Sequence, residues 1–457
     1  QPAAFELADI EIAVLSNRKI SNLVAHTINW KDGKIIKTLV SSSEIFDEKV
    51  NDRVKIKKFT FPKLKAGSII EYQYDFVDMN YYGFYHAFQR DIPVRWSEII
   101  ITLPDYLGYT YGFNDTKHPV KIKEINDKEI KIGRKKIDVT QYHFAMENLT
   151  ALKDEPFIIN LEDYRAALQM FISRDKRFSK SYVEDWETIT HNYTKYNSIF
   201  YSNKKFYKKP YKKCKPYIKS DSPSKEKMIS IYNHISKTVK WNGKYRVQND
   251  YPDYSLVYTQ KKGNSAEINL LLLALLREAD IKAVPVLIST RNHGQPSLSV
   301  PFLYQFNHVI IRVTIDDTEY FLDAIDKNQP YTFLNFNDLV SGGWLMAGDG
   351  EWVDLPKYNT KTIIEPTLEL QADGKIKGSF NIELEGYSAL VLREKIQEKE
   401  EDDTPELSAQ EEEKEFEDDD ISDYTVEHLE EKDKPLIINF KIETANFTEI
   451  TDELIYF

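Results

Sequence analysis

The sequence predicts a multidomain α+β protein. An antiparallel β-sandwich covers residues 1–150, an aromatic, lysine-rich helical connector 151–220, an α+β core 221–350, and a C-terminal β-domain 351–457 with an acidic helical insertion at 398–433. Three observations lead there. A chain of 457 residues exceeds what one hydrophobic core organises. Short alternating apolar runs separated by turn residues fill its first third. One densely apolar helix, sharply punctuated at its start, occupies the middle.

In the first segment, Ile70 to Phe76 alternates apolar and polar side chains, the period of a strand with one buried face. Ser97 to Leu103 is a second such run, closed by Pro104, and Asp32-Gly33 and Asn126-Asp127 read as hairpin turns. The connector is expected to form short helices at Leu161 to Phe171 and Asp185 to Tyr193. Its stretch from Lys204 to Lys219 interleaves lysines with Phe206, Tyr207, Tyr211 and Tyr217. That texture suits single-stranded nucleic acid, but it equally suits a solvated connector whose rings pack on neighbouring elements.

Charge favours the second reading. The net charge is −12, yet residues 398–433 hold 19 acidic residues against 3 lysines, a balance of −16 that leaves +4 for the remainder. A near-neutral body gives no basis for nucleic-acid or anionic-membrane partners. The acidic block reads as a solvated insertion, since like charges resist burial, and it lacks the ligand spacing of a calcium hand. A single cysteine, Cys214, excludes an internal disulfide. None of the nine histidines pairs with another at helical ligand spacing, so neither a metal nor a cofactor is expected. The longest apolar run, Leu270 to Leu276, is too short to span a bilayer.

In the core, Ser222-Pro223 opens a helix whose apolar stripe is Met228, Ile231, Ile235 and Val239, with Gly243 as its stop. Gly263 suits a tight turn before the central helix. Asn264 is its N-cap and Glu267 stands where a capping-box carboxylate reaches back, which places Ser265 in the first turn. This helix is apolar on every face and ends near Ala279-Asp280, so other elements must enclose it. Ala283 to Ile288 follows as a buried strand, then a strand through His308 and a return from Thr318 to Asp323. If Asp316-Asp317 is a two-residue turn, Ile315 faces Thr318 and Asp323 faces Ile310. His308 and Asp323 are then diagonal neighbours on one face, about 7 to 8 Å apart at the backbone.

Helix-start residue, strand histidine and following-strand aspartate, in that order, resemble the transglutaminase-like, papain-type superfamily of Cys-His-Asp proteins. The resemblance is carried by Lys262-Gly263-Asn264-Ser265 with Leu270 to Arg277, by Asn307-His308-Val309, and by Phe321-Leu322-Asp323. Phe61 to Tyr72 resembles the uncharacterised β-domain that precedes such cores in bacterial envelope proteins. Leu368 to Leu384, with Asp373-Gly374 as its turn, resembles the β-domain that follows them. The resemblance implies a triad at positions 265, 308 and 323, with Trp241, Asn242, Asn264 and Asn307 as cleft-lining candidates.

One departure matters. Where the family carries its nucleophilic cysteine, this chain has Ser265. A thiolate is generated by a nearby histidine and a helix N-terminus, whereas a serine needs a base and oxyanion donors placed for oxygen. Cys214 precedes the first core helix and cannot substitute. The leading expectation is therefore a non-catalytic core that binds a peptide or protein partner in the bacterial envelope. The alternative is an amide hydrolase, protease or acyltransferase using Ser265 as nucleophile, His308 as base and Asp323 to orient the imidazole. In a third reading the β-domains do the binding. The chain opens on Gln1 without methionine or an apolar leader, which fits a mature or trimmed protein of the periplasm or envelope. The polar stretch Ser289 to Ser299 is placed to cover the cleft.

Overall fold

The computed structural model describes residues 6–15, 18–50, 54–78, 83–114, 117–156, 158–181, 185–196, 204–217, 222–249, 254–296, 301–401, 420–444, 449–450 and 455–456. Strands dominate the two ends and helices the centre. The chain divides into two compact units, one of residues 1–152 with 165–181 and the other of 153–164 with 182–457.

The first unit contains two apolar cores. One lies among Ala8, Ile12, Ala25, Val40, Phe59 and Phe61, contributed by a sheet built on Asp9–Leu15 and Val54–Thr60 and another built on Arg18–Lys31. The other gathers Leu103, Phe144, Met146, Leu168 and Met170, all fully or nearly buried. Its strands Val94–Pro104, Ile122–Ile132 and Lys135–Leu149 form one sheet, and Ala167–Asp175 pairs with Leu107–Phe113 and Gly83–Ala87 in the other. Asp32-Gly33 turns as expected, with both residues at positive φ.

Two local expectations fail. Asn126-Asp127 lies inside a ladder, opposite Gln141 and Thr140, and the hairpin closes instead at Gly133-Arg134, where Gly133 supplies the positive φ. Leu161 to Phe171 is not a helix. Only Leu161–Tyr164 makes a short turn, and Ala167–Asp175 is a strand whose alternate residues Leu168, Met170 and Ile172 are buried. Its partners supply the ladder that a lone helix reading ignores. The segment expected as a connector is thus shared between the two units.

In the second unit the central helix Ser265–Glu278 is buried along twelve consecutive residues, Ser265 to Leu276. It is enclosed by the helices Ser224–Thr238 and Tyr254–Gln260 and by a five-stranded sheet. In that sheet Ala283–Ile288 pairs with His308–Ile315, which turns at Asp316-Asp317 into Thr318–Leu322. The expected register holds, with Ile315 opposite Thr318. The Ser224–Thr238 helix stops at Val239 rather than at Gly243, because Lys240–Trp241 leaves to pair in parallel with Lys262–Gly263.

Beyond residue 360 the strands Lys361–Leu370, Ile376–Glu385, Asp420–Glu427 and Leu436–Thr444 form one sheet, packed on one side by the helix Tyr387–Glu401. The first residues of the acidic segment, 398–401, belong to that helix. Residues 402–419 lie outside the described residues, and Asp420–Glu427 is a strand rather than helix, since Ile421 and Val426 pair across Leu436–Thr444. No described helix is long and apolar enough to cross a membrane.

Candidate functional site

The start of the central helix is fixed before any chemistry is considered. Asn264 accepts from the Glu267 amide at 2.9 Å, and the Glu267 carboxylate accepts from the Asn264 amide at 2.8 Å, the reciprocal capping box that the sequence indicates. Gly263 is needed here for space rather than for a turn. A Cβ at this position would lie 2.9 Å from Val257 Cγ1 and 3.2 Å from Glu267 Cβ. The parallel pairing of Trp241 with Gly263 then lays the segment 242–246 across the helix start.

That segment occupies Ser265 completely. The Ser265 amide donates to the Lys244 carbonyl at 3.1 Å. Its hydroxyl accepts from the Arg246 amide at 2.9 Å and donates to the Arg246 carbonyl at 3.2 Å. Ser265 is 0% exposed. The backbone donor that would stabilise an oxyanion at the nucleophile is therefore already bonded, and so is the hydroxyl that would attack.

His308 opens its strand and is also 0% exposed. Neither ring nitrogen has a hydrogen-bond partner among the described residues, and no hydrogen bond joins it to Ser265. Its Nε2 lies 3.2 Å from Asp323 Oδ2 and 3.7 Å from Asp338 Oδ1. The edge of the imidazole meets the Tyr245 ring, with centroids 5.0 Å apart. Tyr245 comes from the same segment that covers Ser265.

Asp323 is held from several sides. Asn269, one helical turn beyond Ser265, donates to Asp323 Oδ1 at 2.6 Å and to the Val309 carbonyl at 2.9 Å, and accepts from the Ala324 amide at 2.9 Å. Tyr232 donates to the Asp323 and Gln329 carbonyls at 3.0 Å each. Burial opposes the Asp323 charge, but the His308 imidazole beside it and the hydrogen bond from Asn269 outweigh it and hold the carboxyl below its usual range. Asp338 goes the other way. Burial and then the Asp323 charge push its carboxyl well above the usual range.

The remaining candidates serve local structure. Trp241 Nε1 donates to the Lys244 carbonyl at 3.1 Å, and the Asn242 side chain accepts from the Lys244 amide at 3.0 Å. Asn307 is paired twice with Thr290, and Asn264 has its Nδ2 buried without a partner. Of the segment expected as a cover, residues 297–299 lie outside the described residues. Within it Gln295 donates its amide to Asp163 at 2.8 Å. Cys214 is buried, and burial pushes its thiol up to about 12, which removes it as a substitute nucleophile.

Residues 212–323 match the transglutaminase-like superfamily, a span that begins near Cys214 and ends on Asp323. The chain carries a transglutaminase-like core. Residues 3–153, before this core, match a domain of unknown function, DUF3857. The fold is also that of a candidate protease from Parabacteroides distasonis, at 12% identity and a TM-score of 0.51, covering 97% of this chain and 87% of the other. A candidate cysteine protease from Cytophaga hutchinsonii shares 12% identity over 67% of this chain and 78% of its own, with a TM-score of 0.23. No curated protein matches the chain significantly.

Sequence reasoning about the transglutaminase-like core missed Asp338, Asn269, Tyr245 and the Arg246 backbone. Asn269 carried a signal, being a polar residue inside an apolar run at i+4 from Ser265. The others lie in loops whose approach to the site depends on tertiary folding.

Proposed function

We propose that this chain is a transglutaminase-like protein without amide-cleaving activity, acting by binding a peptide or protein partner in the bacterial envelope. One observation carries the reading: both the amide and the hydroxyl of Ser265 are bonded to the 244–246 backbone, while His308 lies covered by Tyr245. Attack by Ser265 would require that segment to leave, a base to reach the hydroxyl, and new oxyanion donors to form. The purified chain is expected to leave a mixed peptide substrate uncleaved and uncrosslinked. Amide turnover that disappears in Ser265→Ala would replace this reading with the Ser265-His308-Asp323 hydrolase. The envelope setting draws on the resemblance of both flanking β-domains, and fractionation of the native host with detection in the cytosol alone would refute it.

A specific feature favours the N-terminal sheet as the partner surface. On its outer face Trp30 pairs with Ile35 and Ile28 with Ile69, and Trp30, Ile35 and Ile69 are each more than 60% exposed. Leu39 extends the same face opposite His26. Contiguous exposed apolar side chains of this kind mark interaction sites. Trp30→Ser with Ile69→Ser is expected to abolish partner capture without unfolding the chain; unchanged capture would return the binding role to the core.

A further inference from the structure

Five buried side-chain atoms meet beside the central helix without a hydrogen-bond partner among the described residues. They are both ring nitrogens of His308, Oδ2 of Asp323 and both oxygens of Asp338. All three side chains are 0% exposed. Buried polar atoms are almost always paired, and buried charges are matched by an opposite charge or a metal. No lysine or arginine pairs with either carboxyl group among the described ion pairs, so the His308 imidazole is the one cationic group that two buried acids share there.

We propose that His308, Asp323 and Asp338 form a buried zinc(II) site. One donor atom from each lies within 4.8 Å of the other two. The separations of 3.2 and 3.7 Å from His308 Nε2 bracket the edge of roughly 3.3 Å expected of a tetrahedron with bonds of about 2.0 to 2.1 Å. A dication neutralises both carboxylates at once and occupies three of the unpartnered atoms. The second oxygen of Asp338 is available to complete the coordination. Asn269 already holds Asp323 Oδ1, which turns Oδ2 toward the cluster, the outer support that metal ligands ordinarily have. Magnesium and calcium suit the site poorly, since both demand more oxygen ligands than three enclosed side chains provide. The ion would fasten the Phe336–Asp338 turn to the start of the His308–Ile315 strand. The site was invisible to histidine spacing because it uses one histidine and two aspartates from three separate elements.

A second cluster, Glu187, His191 and Asp349, competes for the same ion at the surface. The test therefore uses the full chain, stripped with chelator and refolded with zinc chloride, alongside Asp338→Asn and His191→Ala. One zinc per chain is expected to survive gel filtration in the unmodified protein and in His191→Ala. Asp338→Asn should weaken it by about 100-fold or more. Cobalt(II) in its place should give the intense visible bands of a tetrahedral site. No retained zinc, or zinc lost in His191→Ala, would overturn the proposal. If Asp338→Asn does not fold, the His191→Ala chain decides alone: persistent cobalt bands support the buried site and their absence refutes it.

Discussion

At the His308 end of the transglutaminase-like site, polar groups converge. Asn269, Tyr232 and His308 all act on Asp323 or its backbone. At the Ser265 end they turn away from the site, into the 244–246 backbone. The two ends are only one strand and one helix start apart, yet one is arranged around an acid and an imidazole while the other is arranged around loop closure. The difference teaches that a buried histidine-aspartate pair can stand beside a helix start whose serine is bonded wholly into loop backbone.

The largest expected effect lies at the acid end. Asn269→Leu leaves Asp323 Oδ1, the Val309 carbonyl and the Ala324 amide buried without partners, and should lower unfolding stability by about 3 kcal/mol or more in denaturant melts. Next comes Gly263→Ala, whose methyl collides with Val257 and Glu267 and disturbs the capping box, at about 2 kcal/mol. Ser265→Ala should cost only about 1 kcal/mol, because water can reach the exposed Arg246 segment it releases. A Ser265→Ala loss equal to that of Asn269→Leu would erase the contrast between the two ends.

The smallest effect contrasts His308 with a half-buried histidine whose charged neighbour is an arginine. In the N-terminal unit burial, then the Arg90 charge, lowers the His86 imidazole to about 4. The folded value lies below the unfolded one of 6.5, so its contribution to stability is complete above pH 6.5 and fades as pH falls through about 4. His86→Gln should flatten that acid limb in melts across the range. An unchanged slope would assign the acid sensitivity elsewhere.

The sequence made the parts with strong periodicity or fixed turn chemistry legible. The capping box at Asn264 and Glu267, the burial of Leu270 to Leu276, and the Asp316-Asp317 hairpin that brings His308 to Asp323 all follow from local rules. The strand at Ala167–Asp175 was missed because its ladder partners are distant in sequence, Gly83–Ala87 among them. Asn126-Asp127 misled because turn-forming residues tolerate a ladder when a glycine six residues further on offers a better turn. Asp338 gave no signal at all. Its significance arises only when a short turn carries it to the imidazole.

The central claim is that Ser265 is a fastening rather than a nucleophile, and a fluorophosphonate probe tests it most directly. Intact-mass and peptide analysis after exposure across about pH 6 to 9, the range in which an imidazole base would operate, is predicted to find no adduct on Ser265. A stoichiometric adduct on Ser265 that is lost in His308→Ala would contradict the account.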